Sequence, residues 1–411
     1  MGGSQTFQAT RDKILAGIPV DADAINENGI FSDYYFQRPS GQCTDEFCPL
    51  LDHAYIKNPL TDTREYWTQI ALGSNIDTSD YTRKRARFVL VMDQSGSMGS
   101  ALPITESDLE QNSAECASGE VYRKSTDVCL SGNSALLALM FEESFRLETK
   151  MNVTNETFAR MIDAFSLDDE IGIVTFDDSA YVRHPLKPLS EINRETLKSH
   201  IRTVSPQGGT NMVAGYQAAL SLIADETDPE VETRIIFMTD AMPTVGDTST
   251  SSISRLIADA SAKGINTTFV GVGIDYDQDF IDSIAEVSGA NWIYANGASD
   301  LYRRIVEEFD YNFFPMFSNV RFYTPDGADI VSVVGSGDRT PTLDDQDSFE
   351  VFSIKTLFPT PSRSGKNRGG VILVQYANKP AVNIPYIVTY NDRNGRRHIV
   401  EAVDDADGWL R

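Results

Sequence analysis

The chain has 411 residues, too many for one ordinary core, so two or three domains are expected. Its 41% apolar and 23% charged residues are those of a folded protein, and 35 basic against 60 acidic side chains leave a net charge of −25. That balance argues against nucleic acid and anionic lipid as partners, because nonspecific affinity for either needs a basic face; it suits a cation-rich medium.

No apolar run reaches the roughly 18 to 20 residues that cross a bilayer, so no direct membrane insertion is expected. The opening MGGSQTF lacks the charged and apolar regions of a secretion signal. MGGS reads as an artificial leader, which leaves a native signal or anchor open. Residues 1–30 show no clear pattern and read as a loose arm. Residues 31–86 contain the strand-like stretches FSDYYFQRP and YWTQIALGSN. Four cysteines form two local pairs, Cys43 with Cys48 and Cys116 with Cys129. An even count in polar, irregular sequence favours disulfides and hence an extracellular or cell-surface setting; four free thiols are the alternative. Zinc is disfavoured, since neither pair has knuckle spacing with nearby histidines.

From 87 to 309 apolar strands alternate with amphipathic helices. The strands are RFVLVMD, EIGIVTF, TRIIFMTD, NTTFVGVG and NWIYA; between them lie NETFARMIDAF, NMVAGYQAALSLIA, SISRLIADASAKG and DFIDSIAEVSG. Near-continuous apolar strands separated by helices imply an α/β domain with a doubly wound, mostly parallel sheet. Residues 310–411 change character to short β-rich runs, with Asn394-Gly395 between two of them as a hairpin turn. This segment reads as a β-sandwich or small barrel that residues 31–86 complete, so the α/β domain is inserted in, or followed by, a β domain.

The stretch VLVMDQSGSMGS at 89–100 ends an apolar strand in small oxygen-bearing residues. Either a turn or a cation site explains it. In a doubly wound sheet ligands gather at the carboxyl ends of the strands. Asp93, Ser95 and Ser97 alternate there; SPQGGTNM brings Thr210 just before a helix, and IIFMTDAMP brings Asp240 to another strand end. Two carboxylates and three hydroxyls suit Mg2+ or Mn2+, with Ca2+ a further candidate. Neutral hydroxyls leave such an ion attractive to one more carboxylate, an Asp or Glu of a protein partner. Thr210 and Asp240 lying remote from Asp93, or a basic side chain in the pocket between them, would undo the assignment.

DQSGSM, GGTN and IIFMTDAMP, in that order within an alternating α/β block, resemble the von Willebrand factor type A domain, a Rossmann-like fold, and its metal-ion-dependent adhesion site. The resemblance implies that Asp93, Ser95, Ser97, Thr210 and Asp240 hold the ion, Asp93 and Asp240 partly through water, in a non-enzymatic adhesion or protein-binding module. DEIGIVTFDDSA and FVGVG also resemble strands of the family. The flanking β segments resemble, less specifically, inter-α-trypsin inhibitor heavy chains and bacterial surface proteins. One departure is the insertion at 99–147, which leaves from the first metal loop. It either shapes or covers the site, or SALLALMFEESF within it is simply another buried helix face. A structural surface or matrix module, whose ion only stabilises the loops while the β domain makes the contacts, is the alternative function.

Other chemistries fit less well. A serine hydrolase needs G-x-S-x-G with a histidine in reach, whereas Ser95 stands two places before Ser97, and His53, His184, His200 and His398 fall in no acid-base motif. Asp275, Asp277, Asp279 and Glu286 have calcium-loop spacing, but Phe280 replaces the turn glycine. That segment reads better as a helix capped by Asp277 or Asp279 and closed by Gly289. Asn152, Asn155 and Asn266 are glycan acceptors or ordinary surface asparagines.

Overall fold

The computed structural model describes residues 34–37, 43–76, 81–102, 120–123, 128–131, 149–223, 228–240, 242–273, 278–295, 297–324, 329–336, 341–343, 349–360, 366–380 and 383–404, with isolated positions between them. Cys116, Asp275, Asp277 and SALLALMFEESF lie outside the described residues, so the second cysteine pairing and the role of the insertion do too. The chain divides into two compact units. One comprises Arg85–Ile281 and Trp292–Phe309; the other comprises Met1–Lys84, Asp282–Asn291 and Asp310–Arg411.

The first unit carries a six-stranded sheet: β1 Arg85–Asp93, β2 Glu170–Phe176, β3 Ala180–Pro188, β4 Val231–Thr239, β5 Ile265–Val272 and β6 Asn291–Ala295. Their order is β6-β5-β4-β1-β2-β3. β1 runs parallel to β2 and β4, and β4 parallel to β5. The apolar runs explain the arrangement: Phe88 to Met92 and Ile235 to Met238 have no exposed surface, as strands covered on both faces require. Phe176, Phe237 and Phe269, from three strands, pack as tilted rings at centroid spacings of 4.9 Å.

Strand β3 has no counterpart among the expected strands. It pairs antiparallel with β2 at the sheet edge. Its sequence AYVRHPLKP carries exposed Tyr181, Val182 and Arg183 and two prolines. Proline is tolerated only where no neighbour needs the missing N–H, so the segment has no apolar run for periodicity to find.

The helices that bear on the site are α1 Lys150–Met161, α2 Arg194–Arg202 and α3 Met212–Leu222. Each begins at a capping side chain: Thr149 accepts from Asn152 N, Asn193 from Thr196 N and Asn211 from Ala214 N. Gly215 of α3 lies against Phe176 of β2; a Cβ there would stand 2.8 Å from the ring.

The described residues of the second unit form two larger antiparallel sheets and a small three-stranded one of Tyr35–Gln37, Lys366–Arg368 and Ser362–Arg363. One larger sheet joins Thr342–Leu343, Phe349–Leu357, Phe317–Thr324, Ile384–Asn391 and Arg397–Asp404; the other joins Ile330–Val334, Val371–Tyr376, Arg64–Gly73 and Cys48–Lys57. Tyr66 pairs with Tyr376 and Ala71 with Val371, so strands from before and after the α/β unit share one sheet. Ile70, Ile372 and Val374 from one sheet and Phe322, Val351 and Val388 from the other form one core, the arrangement of a β-sandwich. Gly395, at φ +76°, turns the hairpin between Ile384–Asn391 and Arg397–Asp404. The Cys43–Cys48 disulfide closes a short loop that buries Phe47 against Phe317 and Tyr390. Among the described residues no helix is long and apolar enough to cross a membrane.

Candidate metal centre

The strand order reverses between β1 and β4, and the residues that leave these two strands form the crevice. Asp93 is the last residue of β1 and has no exposed surface. Its Oδ1 accepts from Ser95 N at 2.7 Å, which curls the chain into a tight turn. Met98 N then donates to Ser95 O at 3.1 Å, and the short helix Gly96–Gly99 is pinned by fully buried Met98. The turn therefore exists, and it also presents a row of oxygens. Ser95 Oγ lies 3.0 Å from Ser97 Oγ, and Ser97 Oγ donates to Asp240 Oδ1 at 2.8 Å. Ser95 and Asp240 are buried while Ser97 is exposed, so the row opens to solvent at Ser97.

The loop that carries Thr210 is latched to the first loop and to the loop after β4. Gly96 N donates to Gly208 O at 3.0 Å and Gln207 N to Gln94 O at 2.6 Å, latching the second loop onto the first. Thr210 N donates to Thr244 Oγ1 at 2.9 Å, and Thr244 N returns to Thr210 O at 2.9 Å, which ties in the loop after β4. Asp177 and Asp178, just beyond β2, complete the frame. Asp177 Oδ2 accepts from the Gln94 and Gln207 side-chain amides at 2.7 and 2.8 Å, and Asp178 Oδ1 accepts from Gly209 N at 2.9 Å. Burial opposes the Asp177 charge, but the Ser179 N–H and the two amides hold its carboxyl below the usual range.

Asp93 behaves differently. Burial pushes it up to about 6, against the hydrogen bonds from Thr239 and Ser95 that favour its charged form. Two buried carboxylates, Asp93 and Asp240, lie with the Ser95 and Ser97 hydroxyls in an oxygen-rich cluster that a cation, metal or side chain, would neutralise. The oxygen donors fit a hard divalent ion: Asp93, Ser95, Ser97, Thr210 and Asp240 would be the side chains that hold it.

A basic side chain does reach this cluster, which counts against the metal assignment. Lys150 Nζ donates to Asp240 Oδ2 at 2.8 Å, and the Lys150 and Asp240 side chains are 9% and 0% exposed. Lys150 opens α1 directly after the insertion, with its N–H on Ser100 O at 2.9 Å. Asp240 thus faces Ser97 with one oxygen and the ammonium with the other. No spacing rule pointed to Lys150, Asp177, Asp178, Thr239 or Thr244. The FDDSA run, an acidic pair at a strand end, is the one local signal, and the sequence resemblance assigns it only to a strand.

The segment DFIDSIAEVSG is helical over Gln278–Ala285, as its sequence reads, and Phe280, where a calcium loop would need a glycine, is 1% exposed and packed edge-on against Phe269. Gly289 takes φ +78° just past that helix.

The von Willebrand factor type A domain family matches residues 139–308. The match begins within the insertion, beyond the D-x-S-x-S loop. Inter-alpha-trypsin inhibitor heavy chain H4 of Bos taurus is 29% identical over 217 residues, 49% of this chain and 22% of that protein. Heavy chain H2 of Mus musculus is 25% identical over 184 residues, 43% of this chain and 19% of that protein. The match thus spans about a fifth of the length of these relatives. Among solved structures, a von Willebrand factor type A protein from Catenulispora acidiphila aligns over 92% of this chain and 78% of its own, with a TM-score of 0.49 and 15% identity.

Proposed function

For a chain that contains a von Willebrand factor type A domain, we propose a metal-dependent adhesion or protein-binding module, extracellular or at a cell surface. Asp93, Ser95, Ser97, Thr210 and Asp240 hold one Mg2+ or Mn2+, and an Asp or Glu of a protein partner completes its shell. The row from Ser95 Oγ through Ser97 Oγ to Asp240 Oδ1, with steps of 3.0 and 2.8 Å, carries this reading. Hydroxyls this close lie within the reach of one small ion, and the exposed position of Ser97 leaves a side from which a partner carboxylate can approach. The bound ion supplies an electrophilic centre for that carboxylate; the chain supplies the frame and the exclusion of water around Asp93.

Metal titration of the wild type and of the double variant Ser95→Ala/Ser97→Ala tests this. One Mn2+ per wild-type chain and none in the variant is the expected result; uptake that the variant leaves unchanged overturns it. A second reading is favoured by the Lys150–Asp240 ion pair, which neutralises Asp240 without a metal. On that reading the loops are structural and the β unit makes the contacts. Attachment to a native cell surface that persists in EDTA decides for it.

A further inference from the structure

Lys150 stands where a lysine has little reason to be. It is the first residue of α1, and a cation at a helix N-terminus opposes the helix dipole. It is also 7% exposed, so its ammonium has lost most of its water. Neither penalty is relieved locally, because the first turn of α1 holds no acidic residue. What holds the ammonium is Asp240, 2.8 Å away and 90 positions along the chain.

The path of the side chain is shaped as well. Gly273, at φ +97° just past β5, lies beneath the lysine stem; a Cβ there would stand 3.0 Å from Cε and 3.2 Å from Nζ. The backbone around Lys150 is fixed by its N–H on Ser100 O and by the bridge between Ala101 and Thr149. The ammonium, at the end of four rotatable bonds, is the movable part of this contact.

We propose that Lys150 is a tethered counter-ion that competes with the divalent cation for Asp240. The inference rests on the metal reading of the site. An ammonium on Oδ2 supplies one positive charge to a cluster that otherwise holds two buried carboxylates, so the cluster is partly neutralised without metal. A divalent ion beside Ser97 places two like-signed cations on one carboxylate, and the stronger charge drives the ammonium away. Metal affinity is thereby lowered by the chain's own lysine. A partner carboxylate is excluded from the metal-free form, which offers it no open coordination position.

The test compares the wild type with Lys150→Met and Lys150→Arg, measuring Mn2+ affinity by the loss of free-ion electron paramagnetic resonance signal and thermal stability with and without the metal. Methionine keeps the length of the stem and removes the charge. Lys150→Met is expected to bind Mn2+ about tenfold more tightly or better, since the competing charge on Asp240 is removed; Lys150→Arg keeps the wild-type affinity. The metal-free Lys150→Met protein melts lower than the wild type and gains more from Mn2+. Should it fail to fold without metal, refolding in millimolar Mn2+ followed by chelator titration gives the same affinity. Equal or weaker binding in Lys150→Met overturns the competition and leaves the metal site standing. No Mn2+ uptake by any of the three proteins overturns both.

Discussion

The Thr239 hydroxyl donates to Asp93 Oδ2 across 2.6 Å, from the last residue of β4 to the last residue of β1. The contact joins the two strands at the point where the sheet order reverses. Thr239→Val keeps the shape and removes the donor. Because Asp93 is fully buried, the orphaned oxygen is expected to lower stability by about 1–3 kcal/mol in urea unfolding, with Thr239→Ser recovering most of the loss. Equal urea midpoints for the valine variant and the wild type count against the contact.

Glu156 on α1 accepts from Arg160 Nε at 2.7 Å and from Arg202 Nε, at the end of α2, at 2.8 Å. Hydrogen bonds from Arg202 and then Arg160 hold its carboxyl down at about 2, below the ordinary 4.5. A depressed folded value contributes stability that is complete above pH 4.5 and fades as pH falls toward 2. The carboxylate is 42% exposed, so screening keeps the effect under about 1 kcal/mol. Glu156→Gln should shift the melting temperature down at pH 6 and leave it nearly unchanged at pH 2.5.

Gly215→Ala sets two effects against each other. Alanine improves an interior helix position by about 1 kcal/mol. The new methyl, however, meets the Phe176 ring at 2.8 Å, and Phe176 is held by Phe237 at 4.9 Å. Overpacking of a rigid core costs about 1–3 kcal/mol, so a net loss of stability is expected. A gain in the urea midpoint contradicts the close packing of α3 on β2.

The Cys43–Cys48 bridge joins residues only five positions apart. A loop this short removes little chain entropy, about 2 kcal/mol, so Cys43→Ser/Cys48→Ser should fold and melt modestly lower. Phe47→Ala, which empties a site 1% exposed between Phe317 and Tyr390, should cost more, about 3–5 kcal/mol. The reverse order of the two effects means that the bridge, and not the ring, organises the loop.

The turn that carries Asp93, Ser95 and Ser97 was legible because its signals are local. Asp93, Ser95 and Ser97 sit at alternate positions after an apolar strand, and the Asp93 oxygen that curls the turn is bonded only two residues on. Asn394-Gly395 marked its hairpin for the same reason: the demand for a left-handed turn is met by adjacent residues. Edge strand β3 escaped notice because an exposed strand has no need of an apolar run, and its prolines argue against one.

What the amino-acid sequence determined alone is therefore the kind of sheet and the Asp93–Ser97 turn at the carboxyl end of β1, since apolar runs and short turns express preferences of neighbouring residues. Tertiary structure decided the rest. The pairing of Arg64–Gly73 with Val371–Tyr376 and the seat of Lys150 on Asp240 join residues far apart in the chain. An ammonium carries no periodicity and no preferred spacing to its partner; its place is set by where a buried carboxylate is left facing it once the strands and helices have packed.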